Sequence, residues 1–168
     1  NINTRRKHHI NLIKKTRELG QMGSVYEFNP KMNSSQVNFM RLGTGSLGGK
    51  ARGLGFANSY IKQTGIQEKY SNVIFRVPRV AVVCTDEFDR FMKVNNLWES
   101  ALSLDNNKDL EEIFLNGKLS KELIDSLEKL LKEINYPLAV RSSSLLEDSQ
   151  YQPLAGMYAT YMLPNSHK

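Results

Sequence analysis

A chain of 168 residues, 40% hydrophobic and 24% charged, has the composition of an ordinary globular domain, which excludes a protein disordered throughout. Its single cysteine, Cys84, excludes an internal disulfide and a structural zinc cluster, and with no membrane-length apolar run or export signal it points to a cytoplasmic protein. The formal charge of +6 is local: residues 1–38 carry the excess of Lys and Arg, and the rest is close to neutral, which argues against a nucleic-acid-binding surface over the whole chain.

Residues 4–20 set Ile10, Leu12, Ile13 and Leu19 among Arg5, Arg6, Lys7, Lys14, Lys15 and Arg17, the pattern of a helix with an apolar stripe and a basic face, ended by Gly20 and Gly23. Such a face suits nucleic acid or an anionic membrane surface. No aromatic interleaving or binding signature accompanies it, so a solvated connecting helix fits better. His8 and His9 are neighbours and diverge on a helix, which makes them poor joint metal ligands. Residues 24–38, with Asn29, Pro30, Asn33, Ser34 and Ser35, read as a linker, so the chain divides into a basic helix and linker, 1–38, and a domain, 39–168.

The run from Arg41 to Lys50 satisfies G-x-G-x-x-G at Gly43, Gly45 and Gly48, yet no acidic residue ends a strand about twenty positions on, which disfavours a dinucleotide site. A Walker A loop fails too, with Thr44 in place of its first glycine and Ala51 in place of its Ser/Thr. What remains is a glycine loop entering a helix, Lys50 to about Ile61, with Ala51, Leu54 and Ile61 as its buried stripe. Free amide groups beside the Lys50 ammonium suit an anion; a plain turn with an exposed lysine is the other reading. Gly53 and Gly55 inside the helix each cost about 1 kcal/mol relative to alanine, which close packing on a neighbour would explain.

Val73–Val77 and Val80–Cys84 are β-prone runs around Pro78, which suggests an edge or a bend. Thr85 or Asp86 can cap the next helix, whose Phe88, Phe91 and Met92 form an apolar core set. From Leu97 to Ile134 the pattern is helical: Leu110, Ile113 and Phe114 on one segment, then Leu119, Leu123, Leu127, Leu130, Leu131 and Ile134 on another that Ser120 can cap. Leu138-Ala139-Val140 reads as a buried strand delivering Arg141 and three serines to a sheet edge. Arg141 can meet a phosphate there, or pair with Glu147 or Asp148 in an ordinary hairpin. Gly156 can bring backbone close to a ligand before a second run, Tyr158–Leu163.

Three stretches together resemble the nucleotide-binding domain of the pyruvate phosphate dikinase and phosphoenolpyruvate synthase family over residues 39–164. They are Gly48-Gly49-Lys50-Ala51 with Leu54; Val77-Pro78 with Val82, Thr85, Phe88 and Phe91; and Ala139-Val140-Arg141-Ser142-Ser143 with Glu147-Asp148, Ala155-Gly156-Met157 and Thr160. The resemblance implies an α+β fold, a mixed β-sheet flanked by helices, forming the first half of an ATP-grasp-like domain. It implies that Lys50 and Arg141 act on the ATP phosphates, with Gly48, Gly49, Gly156, Met157 and Thr160 completing the binding loops. It further implies phosphoryl transfer from ATP through a phosphohistidine on another domain of the same full-length chain to an acceptor. Pyruvate is the commonest acceptor, while glucan and antibiotic phosphotransferases use similar domains. His8, His9 and His167 lie outside the family's phosphohistidine context. Adenine contacts and the acids that hold Mg2+ are expected beyond this stretch, so the chain reads as a fragment, expected to be inactive alone in transfer. The competing class is a non-catalytic basic binding or regulatory module that borrows the fold.

Overall fold

The computed structural model describes residues 26–28, 37–144 and 156–166. The expected basic helix, most of the linker, Glu147, Asp148 and His167 lie outside the described residues. Within the stretch read as a linker, Tyr26–Glu27 forms a short strand, β1. It pairs in parallel with β2, Phe39–Leu42, which pairs in parallel with β3, Val80–Val83.

Strand β2 is central to this sheet, and its sequence FMRL shows why: alternate side chains of a strand leave on opposite faces, and here both faces are covered. Phe39 packs with Ala51 and Val82, while its neighbour Met40 packs with Leu130 and Ile134 on the other side. Removing each of these large side chains from water contributes about 1.5–3 kcal/mol. Ala51 belongs to helix α1, Gly49–Gln63, which carries the chain from β2 toward β3; parallel strands need such a crossover. Leu130 belongs to the long helix near the end of the chain, described below. A four-residue turn of helix, α2, Ile66–Lys69, follows α1.

The expected strand over Val73–Val77 does not form. Its backbone is bonded instead by one side chain: the Gln67 amide donates to the Val73 carbonyl (2.6 Å) and the Phe75 amide donates to Gln67 Oε1 (3.0 Å). Only the run after Pro78 joins the sheet.

Helix α3, Thr85–Val94, is capped by neither Thr85 nor Asp86; Cys84 occupies the cap position and makes no side-chain capping bond. Its expected apolar set is split, with Met92 buried but Phe88 half exposed and edge-on to Trp98. Helices α4, Leu97–Ser103, and α5, Asn107–Leu115, lead to α6, Lys121–Glu133. Ser120 caps α6 as expected, accepting from the Leu123 amide (3.2 Å), and its hydroxyl also donates to the buried Glu87 (2.9 Å). The stripe of α6 puts Leu123 and Leu130 inside, and Lys132 pairs with Glu128 at 3.8 Å on the wet face.

The last strands, β4, Leu138–Arg141, and β5, Thr160–Leu163, pair only with each other, antiparallel. The described strands thus form two small sheets, one parallel and one antiparallel, instead of one mixed sheet. β4 is also less buried than its apolar run suggested: Leu138 packs against the Met40 cluster, whereas Ala139, Val140 and Arg141 are exposed.

Close packing does not explain Gly53, because a Cβ built there meets nothing within 4 Å. The Gly53→Ala protein is therefore expected to gain about 0.5–1 kcal/mol, seen as a higher urea midpoint at unchanged slope.

Candidate functional site

Because β2 and β3 are parallel, their C-terminal ends open on one edge, where ligands of open α/β sheets bind. The segment leaving β2, residues 43–48, runs along that edge into the N-terminus of α1. Two other parts of the chain hold it in shape.

The first is the start of α3. The Thr44 amide and hydroxyl donate to Asp86 Oδ2 (2.8 and 3.0 Å), and the Gly45 amide donates to Oδ1 (2.9 Å). The Ser46 amide donates to Thr85 Oγ1 (2.9 Å), and the Thr85 amide returns a bond to the Ser46 carbonyl (3.1 Å). Thr85 and Asp86, the first two residues of α3, therefore direct their side chains to the loop, and neither caps the helix. Gly43, at φ +100, permits the approach, since a Cβ there would stand 2.6 Å from the Asp86 carboxylate. Burial pushes the Asp86 carboxyl up, but the bonds from Thr44 and Gly45 outweigh it and leave the group below its usual range.

The second is the serine run after β4. The Gly49 amide donates to the Ser143 carbonyl (2.8 Å), the Ala51 amide donates to Ser143 Oγ (3.0 Å), and that hydroxyl donates to the Leu47 carbonyl (2.8 Å). Gly48, at φ +77, is obligatory here, because any Cβ would collide with the Ser143 carbonyl. Sequence reading expected free amides along this loop. The structure shows those of Thr44, Gly45, Ser46, Gly49 and Ala51 already bonded to protein oxygens, because two neighbouring segments supply acceptors that the local sequence does not reveal.

Lys50 sits between the two α1 amides that Ser143 holds, and Arg141 lies two residues before Ser143, so the helix start and the strand end expected to carry the two cations meet at one clasp. Leu138 faces the core cluster, and the period of two sends Arg141 to the other face of the hairpin, opposite its register partner Thr160. Gly156 adopts φ +82, a Cβ built there meets none of the described residues within 4 Å, and Met157 is exposed. Their turn is tied to the serine run by the Tyr158 hydroxyl, which donates to Ser144 Oγ (3.1 Å). Asp86, Ser143 and Tyr158 had been given no role in a site. The signals were present as Thr85-Asp86 following a strand and as the serine run itself, but their target was not.

Cys84 is a packing residue: it is buried, and burial, with the charge of Asp86 second, pushes its thiol up. An open groove of about 410 Å3 beside Asn95, Glu112 and Gly117 shares no residue with the loops. The described residues do not supply a magnesium site. Among the described residues no group of three or more His, Cys, Asp or Glu could hold a metal, and both Asp86 oxygens already accept hydrogen bonds. Nor, among them, is any helix long and apolar enough to cross a membrane.

A family model for the pyruvate phosphate dikinase AMP/ATP-binding domain matches residues 44–168. The chain belongs to that family. No curated protein and no solved structure matches it. The matched span opens at Thr44, the first residue held by Asp86, and takes in the glycine loop, the serine run and the Gly156 turn. Membership makes this an ATP-binding domain of dikinase-type kinases, and the edge carrying these loops is its candidate nucleotide edge.

Asp86 gives a pH test. Its folded pKa is depressed below the unfolded value of about 3.9, so its contribution is present above that pH and is lost as pH falls through the folded pKa. The Asp86→Ala protein is expected to be less stable by about 1 kcal/mol at pH 7, the partial exposure of the bonds holding it to that size. The gap between its urea midpoint and that of the unsubstituted protein should shrink steadily below about pH 4.

Proposed function

We propose that this chain is the phosphate-gripping part of an ATP-dependent dikinase, an ATP-grasp-like half-domain in which Lys50 and Arg141 hold the ATP phosphates. The observation that carries the reading is the Ser143 clasp, which joins the elements bearing both cations within the span matched to the AMP/ATP-binding family. With the loop amides committed to Asp86 and Ser143, negative charge on a nucleotide must be met chiefly by side chains. An ammonium and a guanidinium meet it in different ways, the first as a point charge and the second as a planar fork that takes two oxygens at once. Cations fixed in advance stabilise charge on a transferred phosphoryl group without reorganising as the reaction proceeds.

In this reading Gly48 and Gly49 line the phosphates from the α1 side, and Gly156, Met157 and Thr160 cover them from the hairpin side. The open space at Gly156 leaves room for that approach. The phosphoryl group passes from ATP to a histidine on another domain of the full-length chain and then to an acceptor, with pyruvate the first candidate. Magnesium comes with the nucleotide, and the acids that hold it are expected outside this 168-residue stretch. Because no group of acids able to hold a metal forms among the described residues, the 168-residue chain is expected to bind Mg-ATP more weakly than micromolar in titration calorimetry and to show no transfer by itself.

The sharper test is Arg141→Lys in a longer, active form of the protein. Charge is kept and the fork is lost, so kcat/KM for ATP is expected to fall at least tenfold, about 1.4 kcal/mol of transition-state stabilisation. Turnover within twofold of the unsubstituted enzyme would return Arg141 to an ordinary surface role.

A further inference from the structure

We infer that Ser143 is a positioning residue for ATP: it fixes the spacing between Lys50 on α1 and Arg141 on β4, an inference that rests on reading those two cations as the phosphate grip. The argument starts from the chemistry of the contact. Ser143 makes three bonds to one short stretch, its carbonyl accepting from Gly49 and its hydroxyl both accepting from Ala51 and donating to Leu47. A hydroxyl is the smallest side-chain group that can accept and donate at once. Alanine would do neither. Aspartate would accept from Ala51 but, ionised, has no proton for the Leu47 carbonyl.

The place of the contact matters as much as its chemistry. The two bonded amides flank Lys50 in the chain, so the clasp acts on the residues immediately before and after the cation. On the other side, Ser143 is two residues beyond Arg141, the last residue of β4. β4 lies outside the parallel sheet that α1 packs on, since it pairs only with β5 among the described strands. Both are anchored to the core around β2, α1 through Ala51 and β4 through Leu138, and the Ser143 clasp is the contact that ties helix directly to hairpin. Misplacement of a reacting group by about 1 Å can cost on the order of a hundredfold in rate.

Serine can also be distinguished from a merely structural residue. In Ser143→Ala the carbonyl bond to Gly49 survives, so helix and hairpin should stay in contact while the Ala51 amide and Leu47 carbonyl lose their partner. Ser143→Thr restores a hydroxyl.

The experiment uses the 168-residue chain as it stands, with Ser143→Ala, Ser143→Thr, Lys50→Ala and the Lys50→Ala/Ser143→Ala pair. Amide exchange without ligand is read first, followed by NMR titration with ATP, which reaches millimolar affinities. Expected are loss of exchange protection at Ala51 in Ser143→Ala, at least fivefold weaker ATP binding, and affinity within twofold of the unsubstituted chain in Ser143→Thr. In the Lys50→Ala background, Ser143→Ala should then weaken ATP binding no further, because the group it positions is gone. Unchanged exchange at Ala51 overturns the clasp itself. Lost protection with unchanged ATP affinity, or the full fivefold effect persisting without Lys50, overturns the positioning role while leaving the ATP reading intact. If the unsubstituted chain takes up no ATP even at millimolar concentration, the ATP reading falls and the inference falls with it.

Discussion

One serine joins segments separated by 92 and 96 positions in the chain, through bonds to Ala51 and Leu47. The start of α1 can stand beside the end of β4 because the Ser143 carbonyl and hydroxyl together engage an amide on each side of Lys50. The arrangement also dictates residue choice on the opposite side, since Gly48 must lack a Cβ for the Ser143 carbonyl to come so near. A strand end, a glycine loop and a helix start thus constrain one another, and no one of them has its form independently.

Asp86 imposes the complementary constraint. Helix starts and glycine loops often bind phosphate through backbone amides. Here a carboxylate of the protein itself takes the Thr44 and Gly45 amides, and Thr85 takes that of Ser46. These bonds brace the loop, and they leave fewer of its amides open to an anion than a Walker A loop has. In the proposed reading, electrostatic work on phosphate falls to long cationic side chains, whose placement depends on how well the elements beneath them are fixed.

The hairpin that carries Arg141 and Thr160 has little support of its own, because two strands alone are marginal in water. It is held from several points. Leu138 enters the Met40 cluster, the Tyr158 hydroxyl bonds Ser144, and the Asn165 side chain donates to the Ile134 carbonyl (2.7 Å) at the end of α6. Through Leu138 and Asn165 the hairpin is coupled to the same helix that covers one face of the parallel sheet. The candidate site therefore inherits its rigidity from the core around β2.

Local pattern was enough for the longer helices and for the family resemblance. Apolar spacing placed α1 and α6 close to their observed bounds, Ser120 was legible as a cap, and the glycine-lysine and Arg-Ser-Ser stretches carried the family resemblance over nearly the span that the family model matches. These features depend on residues within a few positions of one another, which a sequence displays directly. Val73–Val77 had strand composition but no strand, because Gln67 bonds its backbone. Thr85 and Asp86 had capping chemistry, but acceptors go to whichever donors the fold brings near, and the tertiary structure brought the glycine loop. The same holds for β4, whose apolar run gave no sign that only Leu138 would reach the core. Sequence determined which groups were available for bonding and burial; tertiary structure alone decided their partners, because hydrogen bonds and packing depend on distance in space rather than along the chain.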